Sequence, residues 1–186
     1  MRSDAIRHRE LLIDAASRVF AARGYDVPLS EVLRDANLGR GTLYRHFSGR
    51  EALIIAVLDR EVRDLRDELQ FQLDDPALFT DFLVRQSVSA CAYLPLLDSL
   101  AKAPTEQFLN EIVPLYESIV ADVIGAAKRH GTVREDMTVE DFHLAVRMLS
   151  ATRQSREFSR LPENGAARSL DLVMKGIGPH CGAEVS

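Results

Sequence analysis

The sequence contains no tryptophan, only two cysteines, and no apolar run near the ~18 residues needed to cross a bilayer. Cys91 and Cys181 lie far apart, so they form neither a disulfide framework nor a spaced metal motif. Residues 1–9 are polar and charged, unlike a secretory signal peptide, so we expect reduced thiols and a cytoplasmic location. Alternating β-branched residues are scarce, which predicts an all-α chain.

The common enzyme motifs are also missing. The sequence has no phosphate-cradling glycine loop, no C-x-x-C and no H-E-x-x-H. His180 and Cys181 are too isolated for zinc, which needs three or four protein ligands. His143 and Arg147, one helical turn apart, could orient a ligand carboxylate, or they are simply partly exposed helix residues. We therefore expect no catalytic site, no cofactor and no metal.

Charge is distributed unevenly along a chain whose formal net charge is −5. Residues 1–50 hold nine arginines against six acidic residues, whereas residues 51–186 hold fourteen basic and twenty-two acidic residues. A basic N-terminal part suits a polyanionic partner, and the acidic remainder would be repelled by phosphate. The asymmetry supports nucleic-acid binding by the N-terminal part.

Residues 30–47, SEVLRDANLGRGTLYRHF, contain two short helical patterns separated by a turn. One face of the first pattern is apolar, at Val32, Leu33 and Ala36. Asn37 lies at the turn, and Asn tolerates the left-handed backbone conformation. Leu43 and Phe47 stand one turn apart on the second helix and are expected to face inward.

The second helix keeps a basic, hydroxyl-bearing outer face, formed by Arg40, Thr42, Tyr44, Arg45 and His46. Two helices joined by a short turn, the second with such a face, are typical of a DNA-binding helix-turn-helix. Arg40 and Arg45 are the candidates for base edges, because a guanidinium group matches guanine O6 and N7. Thr42 can contact a thymine methyl group or a phosphate.

The chain resembles the TetR family of transcriptional regulators over residues 12–58. The blocks that carry the resemblance are IDAASRVFAARGYD, RGTLYRHF and SGREALIIAVL. The resemblance implies an N-terminal three-helix helix-turn-helix DNA-binding domain, residues 1–50, and a helical ligand-binding and dimerisation domain, residues 51–186. It also implies that Tyr44 and His46 bind backbone phosphate.

Several positions beside the recognition helix are interpreted through the same resemblance. Ser30 is expected to cap the second helix or to contact phosphate. Leu33 stands where a small residue is usual, so we expect wider helix packing or a compensating small neighbour such as Gly41. Gly41 also belongs to the predicted DNA-contacting set.

The fourth helix is predicted to begin at a capping box formed by Ser48 and Glu51. Arg50 lies in its first turn, where a positive charge opposes the helix dipole. The family usually has lysine at this position, which implies a phosphate contact for Arg50.

Helical patterns are predicted to continue to the end of the chain. They cover residues 5–23, 40–47, 48–73, 76–93, a short stretch to 102, 105–129, 138–156 and 164–177. Pro95 is expected to end or kink one helix and Pro114 to kink another. The tail after Gly178 is expected to fray.

The C-terminal half is expected to dimerise and to bind a small molecule. The resemblance implies that the last two helices pair with a second copy, so that the operator is near-palindromic. The helices in between are expected to surround a pocket for an unknown effector. The candidate lining residues, each of which is alternatively plain core, are Phe82, Cys91, Tyr93, Phe108, Tyr116, Arg147 and Met148.

The sequence therefore predicts a homodimeric repressor that a small-molecule ligand releases from double-stranded DNA, with no membrane association. An alternative is a small-molecule sensing module that acts through protein partners, with weak or no specific DNA binding because of Leu33 and Asn37. An activator, or a regulator without a ligand, would share the same recognition helix.

Overall fold

The protein is all-helical in the part of the chain that the computed structural model describes, residues 2–102, 105–154 and 165–179. In these ranges helices are joined by turns and no β-strand is present. The helices are α1 (Arg2–Arg23), α2 (Leu29–Ala36), α3 (Arg40–His46), α4 (Arg50–Leu69), α5 (Leu78–Lys102), α6 (Val113–Arg129), α7 (Val139–Gln154) and α8 (Gly165–Ile177). Within these ranges, no helix combines the length and the apolarity that a membrane span requires.

The chain divides into two compact units. The first comprises Met1–Leu65 with Asp98–Val113, and the second comprises Arg66–Leu97 with Pro114–Ser186. This division by compactness places the start of α4 in the first unit. The functional boundary expected between residues 50 and 51 stays a prediction.

In the first unit, α2 and α3 pack against α1. Helix α1 buries Leu12, Ala16 and Phe20, and α3 buries Leu43. Gly24 ends α1 in the left-handed conformation, with φ +82°. Tyr25 then folds back onto α1, because its ring centroid lies 4.9 Å from that of Phe20.

The turn between α2 and α3 is a Schellman motif with Asn37 in the place usually taken by glycine. Asn37 has φ 52° and ψ 43°. Its N–H donates to the Arg34 carbonyl at 3.2 Å, and the Leu38 N–H donates to the Leu33 carbonyl at 3.0 Å. The left-handed turn expected at Asn37 is therefore confirmed, and α3 begins where the sequence predicted.

Helix α4 begins one residue later than the predicted capping box requires. The Leu53 N–H donates to the Gly49 carbonyl at 3.3 Å, which makes Gly49 the N-cap residue. Ser48 lies one residue before the cap, so the box predicted for Ser48 and Glu51 is out of register and that prediction is wrong. The helix also ends at Leu69, and the residues predicted to extend it to 73 form turns.

The core of the second unit is built around aromatic rings from α5 and α7. Phe82 and Phe142 stack with ring centroids 5.3 Å apart, and Phe79 meets Phe142 edge-on at 6.1 Å. All three side chains are almost completely buried. Helix α8 packs against α7.

A reciprocal capping box fixes the start of α7. The Asp141 N–H donates to the Thr138 hydroxyl at 3.2 Å, and the Thr138 N–H donates to the Asp141 carboxylate at 3.1 Å. This backbone donor holds the pKa of Asp141 below its usual value. Arg134 joins the same carboxylate to α8, because its backbone N–H donates to the Ile177 carbonyl at 3.0 Å.

The structure corrects one part of the two proline predictions, and the kinks expected at Pro95 and Pro114 stay predictions. Helix α5 runs unbroken through Pro95, so the predicted end of the helix at Pro95 is wrong. Before Pro114 the chain forms a π-helical segment, Phe108–Ile112, and the Val113 N–H donates to the Phe108 carbonyl. Pro114 therefore lies inside a continuous helical run, residues 106–129, directly after a π-helical turn, which is a usual place for a helix to kink.

Some sequence predictions fall outside the described residues. They concern a helix start at Pro104, the extension of α7 to residue 156, the start of the last helix at Asn164, and the tail beyond residue 179 with His180 and Cys181.

Candidate nucleic-acid interface

Helix α3 buries one side, and its other residues are exposed except for the half-buried Thr42 and His46. Leu43 and the following Phe47 are buried, with 1% and 5% of their surfaces exposed. The opposite side, here called the recognition face, consists of Arg40, Gly41, Thr42, Tyr44, Arg45 and His46. Tyr44 is 60% exposed although it is aromatic. A large ring held in solvent on a basic helix is available to a partner.

Arg45 is partly engaged on its own helix. Its Nε donates to the Gly41 carbonyl at 3.2 Å and its Nη2 donates to the Thr42 hydroxyl at 3.1 Å. The side chain is exposed, so these bonds compete with water and are weak. Arg45 therefore needs only a rotamer change to extend from the helix towards a base edge.

Ser30 is exposed on α2, and its predicted capping role is wrong. Helix α2 begins at Leu29, its N-cap residue is Pro28, and no side chain caps the helix. Ser30 is the second residue of the helix, two residues beyond the capping position. Its predicted phosphate contact stays a prediction.

Gly41 does not compensate for the bulk of Leu33. A Cβ atom added at Gly41 would meet nothing within 4 Å, so the position faces open space. Leu33 is nevertheless buried, with 7% of its surface exposed. The space for Leu33 therefore does not depend on the glycine in α3.

Arg50 has internal partners that its sequence position did not indicate. Its Nη1 donates to the Tyr25 carbonyl at 2.6 Å and its Nη2 donates to the Val27 carbonyl at 2.5 Å. The two bonds join the start of α4 to the loop between α1 and α2. They satisfy carbonyl groups that follow the end of α1. A positive charge in the first turn of α4 is thus explained within the protein.

In the second unit, two of the predicted effector residues belong to one aromatic cluster, formed by Phe79, Phe82, Tyr116, Phe142 and His143. Tyr116 stacks on His143 with centroids 6.0 Å apart and an angle of 6° between the ring planes. The Tyr116 hydroxyl donates to Gln86 Oε1 at 3.1 Å. Burial raises the pKa of Tyr116 and lowers the pKa of His143.

The other predicted effector residues are dispersed. Arg147 and Met148 are exposed. Cys91 is half-buried, and its Sγ lies 3.7 Å from the Ser150 carbonyl oxygen. Phe108 is buried in the π-helical segment of the first unit. The side chain of Tyr93 is outside the described part of the chain.

The sequence did not predict that Gln86 and His143 contact Tyr116 in the aromatic cluster. Gln86 carried no signal, because a single glutamine on a helix is ordinary. His143 was considered only together with Arg147, one turn away, whereas its aromatic neighbours are Tyr116 and Phe142. A helical stripe indicates which residues are buried, but it does not indicate which other helix they meet.

An exposed basic recognition helix in a helix-turn-helix, followed by further helices, defines the chain as a DNA-binding transcriptional regulator. Two family descriptions match it. Residues 12–57 match the description of bacterial regulatory proteins of the tetR family. Residues 75–179 match the description of the C-terminal domain of SbtR-like transcriptional regulators. The chain belongs to the TetR family of transcriptional regulators.

Solved structures agree with this assignment over almost the whole chain. The TetR transcriptional regulator SCO0520 from Streptomyces coelicolor is 30% identical, with a TM-score of 0.67, over 92% of this chain and 99% of that one. A TetR transcription regulatory protein from Mycobacterium vanbaalenii is 27% identical, with a TM-score of 0.66, over 95% and 98% of the two chains.

Similarity to the curated relatives extends over only part of the chain. The uncharacterised HTH-type transcriptional regulator Rv1255c of Mycobacterium tuberculosis is 38% identical over 65 residues, which are 34% of this chain and 32% of that protein. The match thus spans about a third of the length of this curated relative.

Proposed function

We propose that this protein is a homodimeric repressor that binds a near-palindromic operator and is released from it by a small-molecule ligand. The observation that carries the proposal is the recognition face, which keeps arginines, hydroxyl groups and an exposed tyrosine on one side of α3. The protein acts in the cytoplasm, without catalysis and without a cofactor.

Within the recognition face, each side chain has a role that follows from its chemistry. Arg40 and Arg45 contact base edges, because guanidinium groups can bond guanine in a bidentate way. Thr42 meets a thymine methyl group or a phosphate. Tyr44 and His46 donate to backbone phosphates, which fixes the register of the helix without reading sequence.

Two further positions complete the set of DNA contacts. Gly41 lets the backbone of α3 approach the DNA, and the exposed hydroxyl of Ser30 on α2 donates to a phosphate. The set belongs to residues 1–50, and residues 51–186 carry dimerisation and effector binding.

Dimerisation is supported by an apolar face on α7 and α8. Leu144 and Met148 stand one turn apart on α7 and are 59% and 61% exposed, and Leu172 on α8 is 57% exposed. Because α7 and α8 pack against each other, two copies could pair these helices into a four-helix bundle. Covering three large apolar side chains on each copy would stabilise the pair by about 1.5–3 kcal/mol for each side chain.

The effector site is proposed for the second unit, near the aromatic cluster. Phe82 supplies an apolar wall, while Tyr116 and Gln86 supply a buried hydroxyl and an amide. Such a mixture of rings and a few polar groups suits a small amphipathic ligand. Cys91, Tyr93, Arg147 and Met148, which belong to the same unit, remain candidates for the same role. A ligand that binds the DNA-incompetent state more tightly shifts the population away from DNA.

The first experiment is a selection of duplexes from a random library at near-physiological salt. The wild-type protein should enrich a near-palindrome with two half-sites about one helical turn apart. Arg45→Ala should change the preferred bases, and Tyr44→Phe should weaken all sites about equally because it removes a phosphate donor. If a folded, dimeric wild-type protein enriches no sequence, the proposal of an apo repressor fails.

A further inference from the structure

Two arginines near the end of the recognition helix, Arg9 and Arg50, make different kinds of contact within the protein. Arg50, just after α3, is held by two backbone carbonyls of the α1–α2 loop. Arg9, on α1, extends over the ring of Phe47, which directly follows α3. Arg9 and the end of the recognition helix are therefore neighbours in space although they are far apart in sequence.

The contact with the Phe47 ring holds the exposed guanidinium group of Arg9 in place. The Arg9 Cζ lies 5.4 Å from the centroid of the Phe47 ring, within the range of a cation–π interaction. Phe47 itself is buried, so the platform under the guanidinium group is fixed by the core of the first unit. A flat guanidinium group stacked on a ring can still donate from its edge to an anion.

Nearly half of the Arg9 side chain stays accessible to solvent. Its side chain is 46% exposed, and the nearest carboxylate oxygen, on Glu10, lies 3.5 Å away on a side chain that is itself 51% exposed. An exposed ion pair of this kind contributes little and exchanges readily with another anion. Preorganisation on Phe47 lowers the side-chain entropy that binding to a phosphate would cost.

We propose that Arg9 is an additional phosphate contact of the DNA-binding unit, and that it supplies the charge expected of Arg50 at this edge of α3. Arg50 instead ties the start of α4 to the α1–α2 loop, since both of its Nη atoms already donate to carbonyls. This inference rests on the proposed DNA binding. The ligand is a backbone phosphate of the operator duplex, next to the end of the recognition helix.

The test is the salt dependence of DNA binding. The association constant K falls as salt is added, and each phosphate contact makes the slope of log K against log [salt] steeper by about 0.9. The probe is the duplex that the wild-type protein selects, with an unrelated duplex of equal length as a second probe. Arg9→Gln should make this slope shallower by about one for each protomer, and it should weaken binding to both duplexes by about tenfold. Circular dichroism should show that the variant is folded.

Arg7→Gln is the matched control. Arg7 is exposed on the same helix and carries the same charge, but two residues of an α-helix differ by about 200° in direction. It therefore faces away from Phe47, and its loss reports only the long-range effect of net charge. Arg50→Gln should lower the melting temperature and leave the slope at the value of the Arg7→Gln control.

The outcomes separate the two proposals. If the wild-type protein binds DNA and Arg9→Gln has the slope of Arg7→Gln, the Arg9 assignment is wrong while the proposed function stands. A loss of slope in Arg50→Gln, with none in Arg9→Gln, would return the contact to Arg50. If the wild-type protein binds no duplex at any salt concentration, the proposed function and this inference fall together.

Discussion

The recognition face and the aromatic cluster present chemical groups in opposite ways. The recognition face comes from one helix of seven residues, and its side chains point into solvent because Leu43 and Phe47 occupy the inside. The aromatic cluster takes its members from α5, α6 and α7, and each ring is positioned by rings from another helix. A surface of the first kind follows from helical periodicity alone, whereas a cluster of the second kind exists only after the chain has folded.

The largest effect of a substitution is expected for dimerisation, at the exposed apolar face that α7 and α8 form in the second unit. The double variant Leu144→Glu, Met148→Glu should weaken dimerisation by at least about a thousandfold, because each covered side chain contributes about 1.5–3 kcal/mol and a charge replaces it. Analytical ultracentrifugation measures the change. Operator binding should be lost in parallel, since the two recognition helices would no longer be linked.

The matched control for this variant is Phe71→Glu, Val88→Glu. Phe71 and Val88 are 84% and 51% exposed and belong to the same unit, but neither lies on α7 or α8. This control should leave the dimer intact. An unchanged dimer in the Leu144, Met148 variant would instead exclude α7 as the dimerisation surface.

The next prediction compares the loss of stability when one ring is removed from the aromatic cluster and one from the recognition face. Phe142→Ala should cost about 3–5 kcal/mol of unfolding free energy, because the ring is completely buried among other aromatic rings. Tyr44→Ala should change stability by less than about 0.5 kcal/mol, because that ring is mostly in solvent. Urea unfolding followed by circular dichroism measures both. Equal stability losses in the two variants would mean that Tyr44 packs against the core.

This contrast explains how much of the molecule could be predicted from its sequence. The bounds of α3, the left-handed Asn37 and the capping box at Thr138 follow from local rules, and the structure has all three. The path of α5 through Pro95 does not, because the context can keep a proline within a helix. The same limit applies to Arg50, whose carbonyl partners come from a loop about 25 residues earlier.

The candidate site shows the same division. The membership of the recognition face could be predicted, because the inward positions of a short amphipathic helix follow from spacing, whereas its contacts with DNA stay a prediction. The effector residues were chosen as aromatic or polar residues at helical spacing, and they proved to be variously buried, half-buried and exposed. Which helix each one meets depends on tertiary packing, which a single sequence does not encode locally.

A smaller effect tests the turn that positions the recognition helix. Asn37→Gly should raise the unfolding free energy by about 0.5–1 kcal/mol, because glycine adopts φ 52° without the steric cost of a side chain. Gly24→Ala is the converse variant, since Gly24 has φ +82° and an added side chain should cost at least about 1 kcal/mol. Thermal unfolding of both proteins measures the changes. A loss of stability in Asn37→Gly would mean that the Asn37 side chain contributes more than its backbone strain costs.

The smallest effect concerns the pH dependence of the aromatic cluster. Burial lowers the pKa of His143, and Arg147 acts in the same direction, while Glu117 and Glu140 oppose it. The unfolded chain therefore binds a proton at a higher pH than the folded protein does. The contribution of His143 to stability is complete above the ordinary histidine pKa near 6.5 and is lost as the pH falls towards the lower pKa of the folded state.

The variant His143→Gln removes this titration but keeps a polar side chain of similar reach. Its unfolding free energy should fall less steeply than that of the wild-type protein as the pH is lowered below about 6.5, and the two slopes should agree above neutrality. Urea unfolding at a series of pH values gives both slopes. Identical slopes throughout would mean that His143 is solvated well enough to take up a proton in the folded protein, so that its stacking on Tyr116 does not exclude the charged form.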